Sequence, residues 1–368
     1  MMLPILLLSA AGFTVLTTEF IIVGLLPGIA RDLAVSIPQA GLLVTLFAFT
    51  VACLGPFLTA YFARFERRKL FVSIMVLFGL ANLLAAMAPN IEVMAVARLL
   101  PALALPVFWA LASEAAMDLV GAEQAGQAVA KISFGVVCAT VFGIPVGALA
   151  FAKALLLFFF LPTIQVHSAE TSLLKQFRVL RSLEMQGYVL LSVLVLCGMF
   201  TAYTYLADIL ERLAGFNGTV VGWCLMAFGA VGLIGNSLGG RAVDRHPLWA
   251  SIGFSLFMIM GMVALIPSIH STTALAIAMA VWGITQAALF LVSHVRLMKT
   301  APETPAFGAS LNISGANLGI GLGAIVGGHV IDNFGLGSLG YAASGFIGLS
   351  ILLALVLMRG PLSMATQV

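Results

Sequence analysis

Glu19 and Arg98 are the charged residues whose positions say most about chemistry. Each interrupts a long apolar run, Leu3 to Ile29 for the glutamate and 92–117 for the arginine. Charged side chains inside apolar helices are costly, and they usually face a cavity or a partner. A desolvated carboxylate takes up a proton readily, and a nearby guanidinium favours its release. The pair is therefore interpreted as a proton-coupling pair, or else as a static ion pair that fixes two helices.

The depth of these two residues allows them to meet. At about 1.5 Å per helical residue, Glu19 lies roughly 13 Å from the outer end of its run and Arg98 roughly 10 Å from the outer end of its own. Contact requires that the first and fourth runs be neighbours. In that case, moving the arginine towards or away from the carboxylate would load or release a proton.

Aromatic and amide residues at helical spacing form a second candidate set, for binding a substrate. Aromatic faces with a few hydrogen-bonding groups suit sugars, nucleosides or amphipathic drugs. An alternative for Tyr203, Tyr205 and Trp282 is anchoring at the membrane interface, which is the role assigned to Trp223 and Trp249. The candidate substrate-binding residues are Trp109, Tyr203, Tyr205, Asp208, Trp282, Gln286, Asn312 and Asn317.

The amino-acid composition indicates the environment in which these residues lie. Of 368 residues, 62% are hydrophobic and 8% are charged, whereas a soluble domain has about 25% charged residues. The chain is therefore predicted to be an all-α integral membrane protein. The net charge of +3 gives no reason to expect a nucleic-acid partner. The cysteines lack metal-site spacing, and zinc-protease and serine-hydrolase motifs are absent, so neither a cofactor, a metal nor an enzyme is expected.

Apolar runs predict twelve membrane-spanning segments, because a crossing takes about 20 residues. They lie at 3–29, 40–62, 70–88, 92–117, 126–150, 151–161, 188–210, 219–240, 248–268, 272–295, 307–331 and 338–358.

The sixth segment is the weak point of this division. Residues 126–161 are too few for two full crossings and a turn, which need about 40 residues plus the turn. It is therefore predicted to be shortened or re-entrant. Residues 1–161 then form an N-terminal half of six helices, 162–187 a cytoplasmic linker, and 188–368 a C-terminal half of six. Leu173, Phe177, Leu180 and Leu183 recur at helical spacing in the linker, as in a basic helix lying on a membrane surface, the alternative being a flexible linker.

Basic residues set the orientation, because short cytoplasmic loops are enriched in lysine and arginine. With both termini cytoplasmic, the outer loops hold only Arg31 and Arg212. A single crossing at 126–161 would place most of the downstream basic residues outside. The inner loops hold Arg64, Arg67, Arg68, Lys69, Lys175, Arg178, Arg181, Arg241, Arg245, Arg296, Lys299 and Arg359.

Several local motifs resemble a known family of transporters. Phe65-Glu66-Arg67-Arg68-Lys69-Leu70 resembles the loop between helices 2 and 3 of bacterial sugar and drug efflux permeases, which belong to the major facilitator superfamily. Gly239 to Arg245 is similar to the matching loop of the second half. Ala63 departs from the family pattern, which has an Asp there. Further resemblances are Thr17-Thr18-Glu19-Phe20, Ala97-Arg98, Phe108-Trp109, Gly143-Ile144-Pro145-Val146-Gly147 and Thr201-Ala202-Tyr203-Thr204-Tyr205.

The resemblance implies a function. Its members suggest a monomeric, proton-coupled antiporter of the bacterial inner membrane, which exports small organic molecules while two six-helix halves rock around a central site. The partners would be a small-molecule substrate, protons and the lipid bilayer. The loop residues Arg67, Arg68, Lys69, Asp244 and Arg245 would belong to its gates. After Gly147 the chain lacks about 20 residues relative to this pattern, so the alternative is an inactive or regulatory protein disabled by that deletion.

Overall fold

Helices account for almost all of the residues that the structure describes. The structure is a computed structural model that describes residues 7–19, 29, 32–35, 37–120, 125–127, 129–130 and 178–359. We number its long helices in chain order. They are α1 (7–19), α2 (Ile37–Phe62), α3 (Arg67–Ala86), α4 (Ile91–Val120), α5 (Leu183–Tyr203), α6 (Gly218–Arg245), α7 (Pro247–Leu265), α8 (Thr272–Thr300), α9 (Pro305–Phe334) and α10 (Leu339–Arg359).

Polar residues at the helix starts explain why the helices begin where they do. The Glu66 carboxylate accepts from the backbone N–H groups of Arg68 (3.0 Å) and Lys69 (3.3 Å). Asn217 caps α6 by accepting from the backbone N–H of Val220 at 2.9 Å. These side chains satisfy N–H groups that have no partner inside the first helical turn.

The helices have the length and composition of membrane spans. Within the described residues, eight helices are long and apolar enough to cross a membrane, and Leu46–Phe62 forms a shorter apolar helix. Exposed apolar side chains such as Phe49 and Ile325 suit a lipid environment. The chain is an all-α membrane protein, as predicted. The fifth and sixth predicted segments lie almost entirely outside the described residues.

The helix bounds correct the predicted position of Arg296 and the predicted start of α5. α8 continues to Thr300, so Arg296 lies within the helix and is buried, although the sequence placed it in an inner loop. α5 starts at Leu183, five residues before the predicted start at 188, after a short 3₁₀ turn at Val179–Arg181. The rest of the predicted surface helix lies outside the described residues.

Two compact units divide the chain. The first contains Met1–Gln176 together with Ala301–Ser314, and the second contains Phe177–Thr300 and Gly315–Val368. The first ten residues of α9 therefore belong to the first unit. In that unit α2 and α3 pack against α4, and Phe71 of α3 meets Phe108 of α4 edge-on at 5.5 Å.

Glycines bring the helices of the second unit together. α6 and α7 both pack against α8, while α5 and α7 pack against α10. On α9, a Cβ added at Gly319, Gly323 or Gly327 would lie 2.5–2.6 Å from a backbone carbonyl oxygen of α5. Small residues at such spacing let helix backbones approach closely in membranes. These glycines of α9 therefore serve helix packing.

Candidate functional site

Arg98 joins α4 to the end of the described part of α1. It is buried, with 5% of its surface exposed. Its Nη1 donates to the backbone carbonyl of Thr18 at 2.6 Å, and its Nη2 donates to the carbonyl of Glu19 at 3.1 Å. The guanidinium also lies 5.0 Å from the ring centroid of Phe47 on α2. The structure thus brings together the two residues that the sequence singled out.

The contact between them differs from a simple ion pair. Arg98 binds the main chain of Glu19, and no Arg98 nitrogen lies within 4.0 Å of the Glu19 carboxylate oxygens in the structure as described. Two strong hydrogen bonds to carbonyl groups hold the guanidinium in place. The carboxylate therefore lies near a positive charge without forming an ion pair with it, and such a charge favours the ionised form of a carboxyl group.

Asn82 is a member of this cluster that sequence reasoning missed. Its Nδ2 donates to the Thr18 hydroxyl at 2.9 Å, and that hydroxyl donates to the Thr14 carbonyl at 3.1 Å. Asn82 therefore adds α3 to the network around Glu19. Its signal in the sequence was an amide in the middle of an otherwise apolar run.

Trp109 packs beside the same helix. Its indole lies against Gly12 of α1, where an added Cβ would be 3.0 Å from the ring, and it meets Phe108 edge-on at 5.8 Å. It is almost fully buried. In this structure the indole fills the contact between α4 and α1.

Three aromatic rings in the second unit contact one another in series. Tyr203 stacks on Phe228 with 5.4 Å between ring centroids, and Phe228 meets Trp282 edge-on at 5.3 Å. Trp282 is fully buried, and its Nε1 has no hydrogen-bond partner. One turn further along α8, the Oε1 of Gln286 has no partner either. Buried polar atoms are usually satisfied, so these two atoms are candidates to bind a ligand.

Tyr205 and Asp208 do not join that aromatic chain. α5 ends at Tyr203, and a short helix Leu206–Asp208 and a π-helical turn Ile209–Leu213 follow. The Tyr205 hydroxyl donates to the carbonyl of Ala324 on α9 at 2.8 Å, and Asp208 is exposed. The regular α5 helix thus ends before Tyr205 and Asp208.

The two asparagines of α9 fall in different units. Asn312 lies in the first unit and Asn317 in the second, and both are buried. Each stays a candidate in its own unit.

The loop after α2 is anchored by an ion pair. Arg67 Nη2 lies 2.7 Å from Glu114 Oε2 of α4, and Nη1 donates to the carbonyl of Ala63 at 2.6 Å. The Glu114 carboxylate also accepts from the backbone N–H of Ala306, in the first turn of α9. Because Ala63 offers no carboxylate, α4 supplies the acid. Arg68 and Lys69 contribute the capped backbone N–H groups described above.

The corresponding loop of the second unit is also tied to a neighbouring helix. Lys299 Nζ lies 2.9 Å from Asp244 Oδ1, joining α8 to α6. Arg245, the last residue of α6, is exposed. Next to each of the two loops, therefore, one ion pair with a buried or half-buried side chain joins neighbouring helices.

Comparison with other proteins identifies the fold. The chain is 33% identical over 372 residues to the Escherichia coli inner membrane transport protein YdhP, an alignment that covers 96% of this chain and 95% of that protein. The human organic anion transporter MFSD10 (TETRAN) superposes with a TM-score of 0.77 at 14% identity, covering 95% of this chain and 98% of that one. The Escherichia coli fucose:proton symporter FucP gives a TM-score of 0.75 at 16% identity, with coverages of 97% and 99%.

The family assignment covers both halves of the sequence. The model of the Major Facilitator Superfamily matches residues 8–164 and 188–366. This match, together with the relative at 33% identity, identifies a multi-pass membrane protein of a transporter family. The chain belongs to the Major Facilitator Superfamily.

Proposed function

We propose that this transporter is a proton-coupled exporter of small organic molecules in the bacterial inner membrane, with both termini cytoplasmic. Alternating access of a central site would provide the transport cycle, as in other carriers built from repeats. The observation that carries the proposal is the position of Arg98, which is hydrogen-bonded to the Glu19 main chain without ion-pairing to its carboxylate.

Proton coupling follows from what this geometry allows. A carboxylate that is not ion-paired can hold a proton in an apolar helix, since the neutral form costs far less to bury. A shift of the guanidinium by a few ångströms would form the ion pair and favour proton release. Asn82 and Thr18, which are linked by a hydrogen bond, add polar groups beside this position.

The proposed substrate-binding residues lie in the second unit. Tyr203, Phe228 and Trp282 offer an aromatic surface, with the unpartnered Trp282 Nε1 as a donor and Gln286 Oε1 as an acceptor. A ligand that has apolar faces and a few hydrogen-bonding groups matches this set, which suits sugars, nucleosides and amphipathic drugs.

The fold neighbours give precedents for coupling to protons. FucP is a fucose:proton symporter, and a proton:xylose symporter, XylE, superposes with a TM-score of 0.72 at 15% identity. At this identity the likeness concerns the fold alone. Export as the direction of transport rests on the resemblance of the local motifs to sugar and drug efflux permeases.

The relatives of this chain do not favour the alternative of an inactive or regulatory protein. It was based on a deletion between residues 148 and 161, which lie outside the described residues. The relative that is 33% identical is named a transport protein, and the alignment spans 95% of it.

Everted inner-membrane vesicles test the proposal. With an acid-inside pH gradient, a substrate should cause proton leakage from vesicles that contain the protein. We would screen sugars, nucleosides and cationic amphiphiles. Glu19→Gln should abolish the leakage, because the amide cannot exchange a proton. Glu92→Gln is the matched control, since Glu92 is exposed at the start of α4. Undiminished leakage in Glu19→Gln would exclude Glu19 as the coupling residue.

A further inference from the structure

Arg296 is a buried cation that the proposed function does not use. It lies on α8, one turn before the helix ends at Thr300, and only 2% of its surface is exposed. The ion pair described on this helix joins Lys299 to Asp244. Within residues 178–359, no carboxylate oxygen lies within 4.0 Å of an Arg296 nitrogen. A charge inside a membrane helix is costly to bury, and it is costlier without a counter-ion.

The partners that do hold Arg296 are neutral and come from two other helices. Its Nη1 donates to the Ser251 hydroxyl of α7 at 2.6 Å, and its Nη2 donates to the Ser192 hydroxyl of α5 at 3.3 Å. Its guanidinium carbon lies 5.3 Å from the ring centroid of Tyr188. Hydroxyl groups and a ring face orient the guanidinium, but they supply no negative charge.

Two polar atoms on this part of α8, one of them in the guanidinium itself, are unsatisfied. The Nε of Arg296 and the Oγ of Ser293 are both buried, and neither has a hydrogen-bond partner. Residues three apart on a helix are neighbours on its surface. The Nε and Nη2 edge of a guanidinium matches the two oxygens of a carboxylate or phosphate, and a serine hydroxyl can donate a further hydrogen bond.

We propose that Arg296 and Ser293 form an oxyanion-binding site near the end of α8, which takes a carboxylate or phosphate group. The oxyanion neutralises the buried charge, bonds to Arg296 Nε and accepts from the Ser293 hydroxyl. Glu184, in the first turn of α5, accepts a hydrogen bond from the Tyr188 hydroxyl. The site is independent of Glu19 and of proton coupling.

Thermal unfolding of the purified protein in detergent tests the site directly. Sodium acetate and inorganic phosphate are titrated at constant ionic strength, with acetamide as the uncharged control. A ligand that binds only the folded state raises the unfolding midpoint in a saturable way. We expect a rise on the order of 2 °C with at least one of the two anions and none with acetamide. Phosphatidylglycerol added to the micelles tests whether a lipid headgroup supplies the phosphate.

The variants decide whether the response belongs to this site. Arg296→Gln should abolish the rise, and Ser293→Ala should weaken anion binding about tenfold, as expected for the loss of one hydrogen bond to a charged group. Arg359→Gln removes an exposed cation at the end of α10 and should keep the full response. If Arg296→Gln does not fold, Ser293→Ala alone tests the site. The proposal is overturned if no anion or lipid raises the midpoint, or if the rise is the same without Arg296 or Ser293.

Discussion

Arg67 and Glu114 form an ion pair of 2.7 Å between residues that are 47 positions apart in the sequence. The side chains are 7% and 17% exposed, so the pair is largely removed from solvent. The backbone N–H of Ala306 gives the Glu114 carboxylate a second partner at the start of α9. Helix N-termini favour negative charge, and this contact therefore stabilises the carboxylate further.

This relationship predicts strong coupling between the two side chains. Arg67→Met alone should destabilise the protein by about 2–3 kcal/mol, because it leaves Glu114 buried without its cation. The double variant Arg67→Met with Glu114→Gln should recover at least about 1 kcal/mol of that loss. Thermal unfolding of the purified variants measures both effects. If the changes of Arg67→Met and Glu114→Gln alone sum to that of the double variant, the pair contributes no coupling free energy.

Glu19→Gln should separate proton coupling from substrate movement. If Glu19 carries the proton, the amide mimics the protonated carboxyl, and the carrier can still exchange substrate for substrate. We expect loss of gradient-driven transport of at least about 100-fold, or about 2.7 kcal/mol, with exchange of labelled substrate retained. Transport assays in proteoliposomes with and without a pH gradient measure both quantities. Glu19→Asp keeps a titratable group and should retain part of the coupling; equal losses of exchange and coupling in Glu19→Gln would point to a structural role instead.

Most helix bounds could be predicted from the sequence, but the contacts between helices could not. The apolar runs predicted most helix starts within a few residues of the observed ones, and Glu66 and Asn217 cap two of these starts in the structure. Their predicted depths allowed Glu19 and Arg98 to meet, and the structure places Arg98 Nη2 3.1 Å from the Glu19 carbonyl oxygen. A hydrophobic period cannot show which helices are neighbours, so the sequence could not predict that Arg67 pairs with Glu114.

The errors have physical causes that are local. Arg296 was assigned to a loop because a charge usually ends an apolar run, but serines on two other helices receive its guanidinium inside the membrane segment. Tyr205 was predicted to share a helix face with Thr201 and Asp208, but the regular helix ends at Tyr203 and the Tyr205 hydroxyl bonds to the carbonyl of Ala324. In both places a contact with another helix decides the outcome.

Trp282→Phe should weaken substrate binding without weakening the fold. The ring contact with Phe228 would remain, while the unpartnered indole N–H would be removed. We expect an approximately tenfold rise in KM for a substrate that accepts this hydrogen bond, corresponding to about 1.4 kcal/mol. Trp223→Phe is the control, because Trp223 is 65% exposed. An unchanged KM with Trp282→Phe, measured with the substrate found in the vesicle assay, would remove Trp282 from the binding site.

The glycines of α9 should tolerate substitution only where the neighbouring helix leaves room. Gly323→Ala would place its Cβ 2.5 Å from the Cys197 carbonyl oxygen, so α5 and α9 would have to move apart. Such overpacking typically costs about 1–3 kcal/mol. Gly321→Ala, on the same helix, meets nothing within 4 Å, and it should be neutral or stabilising by up to about 1 kcal/mol, because alanine favours the helix over glycine. Thermal unfolding of the two variants side by side compares them. A loss at Gly323 no larger than at Gly321 would show that α5 and α9 are not held in close contact by these glycines.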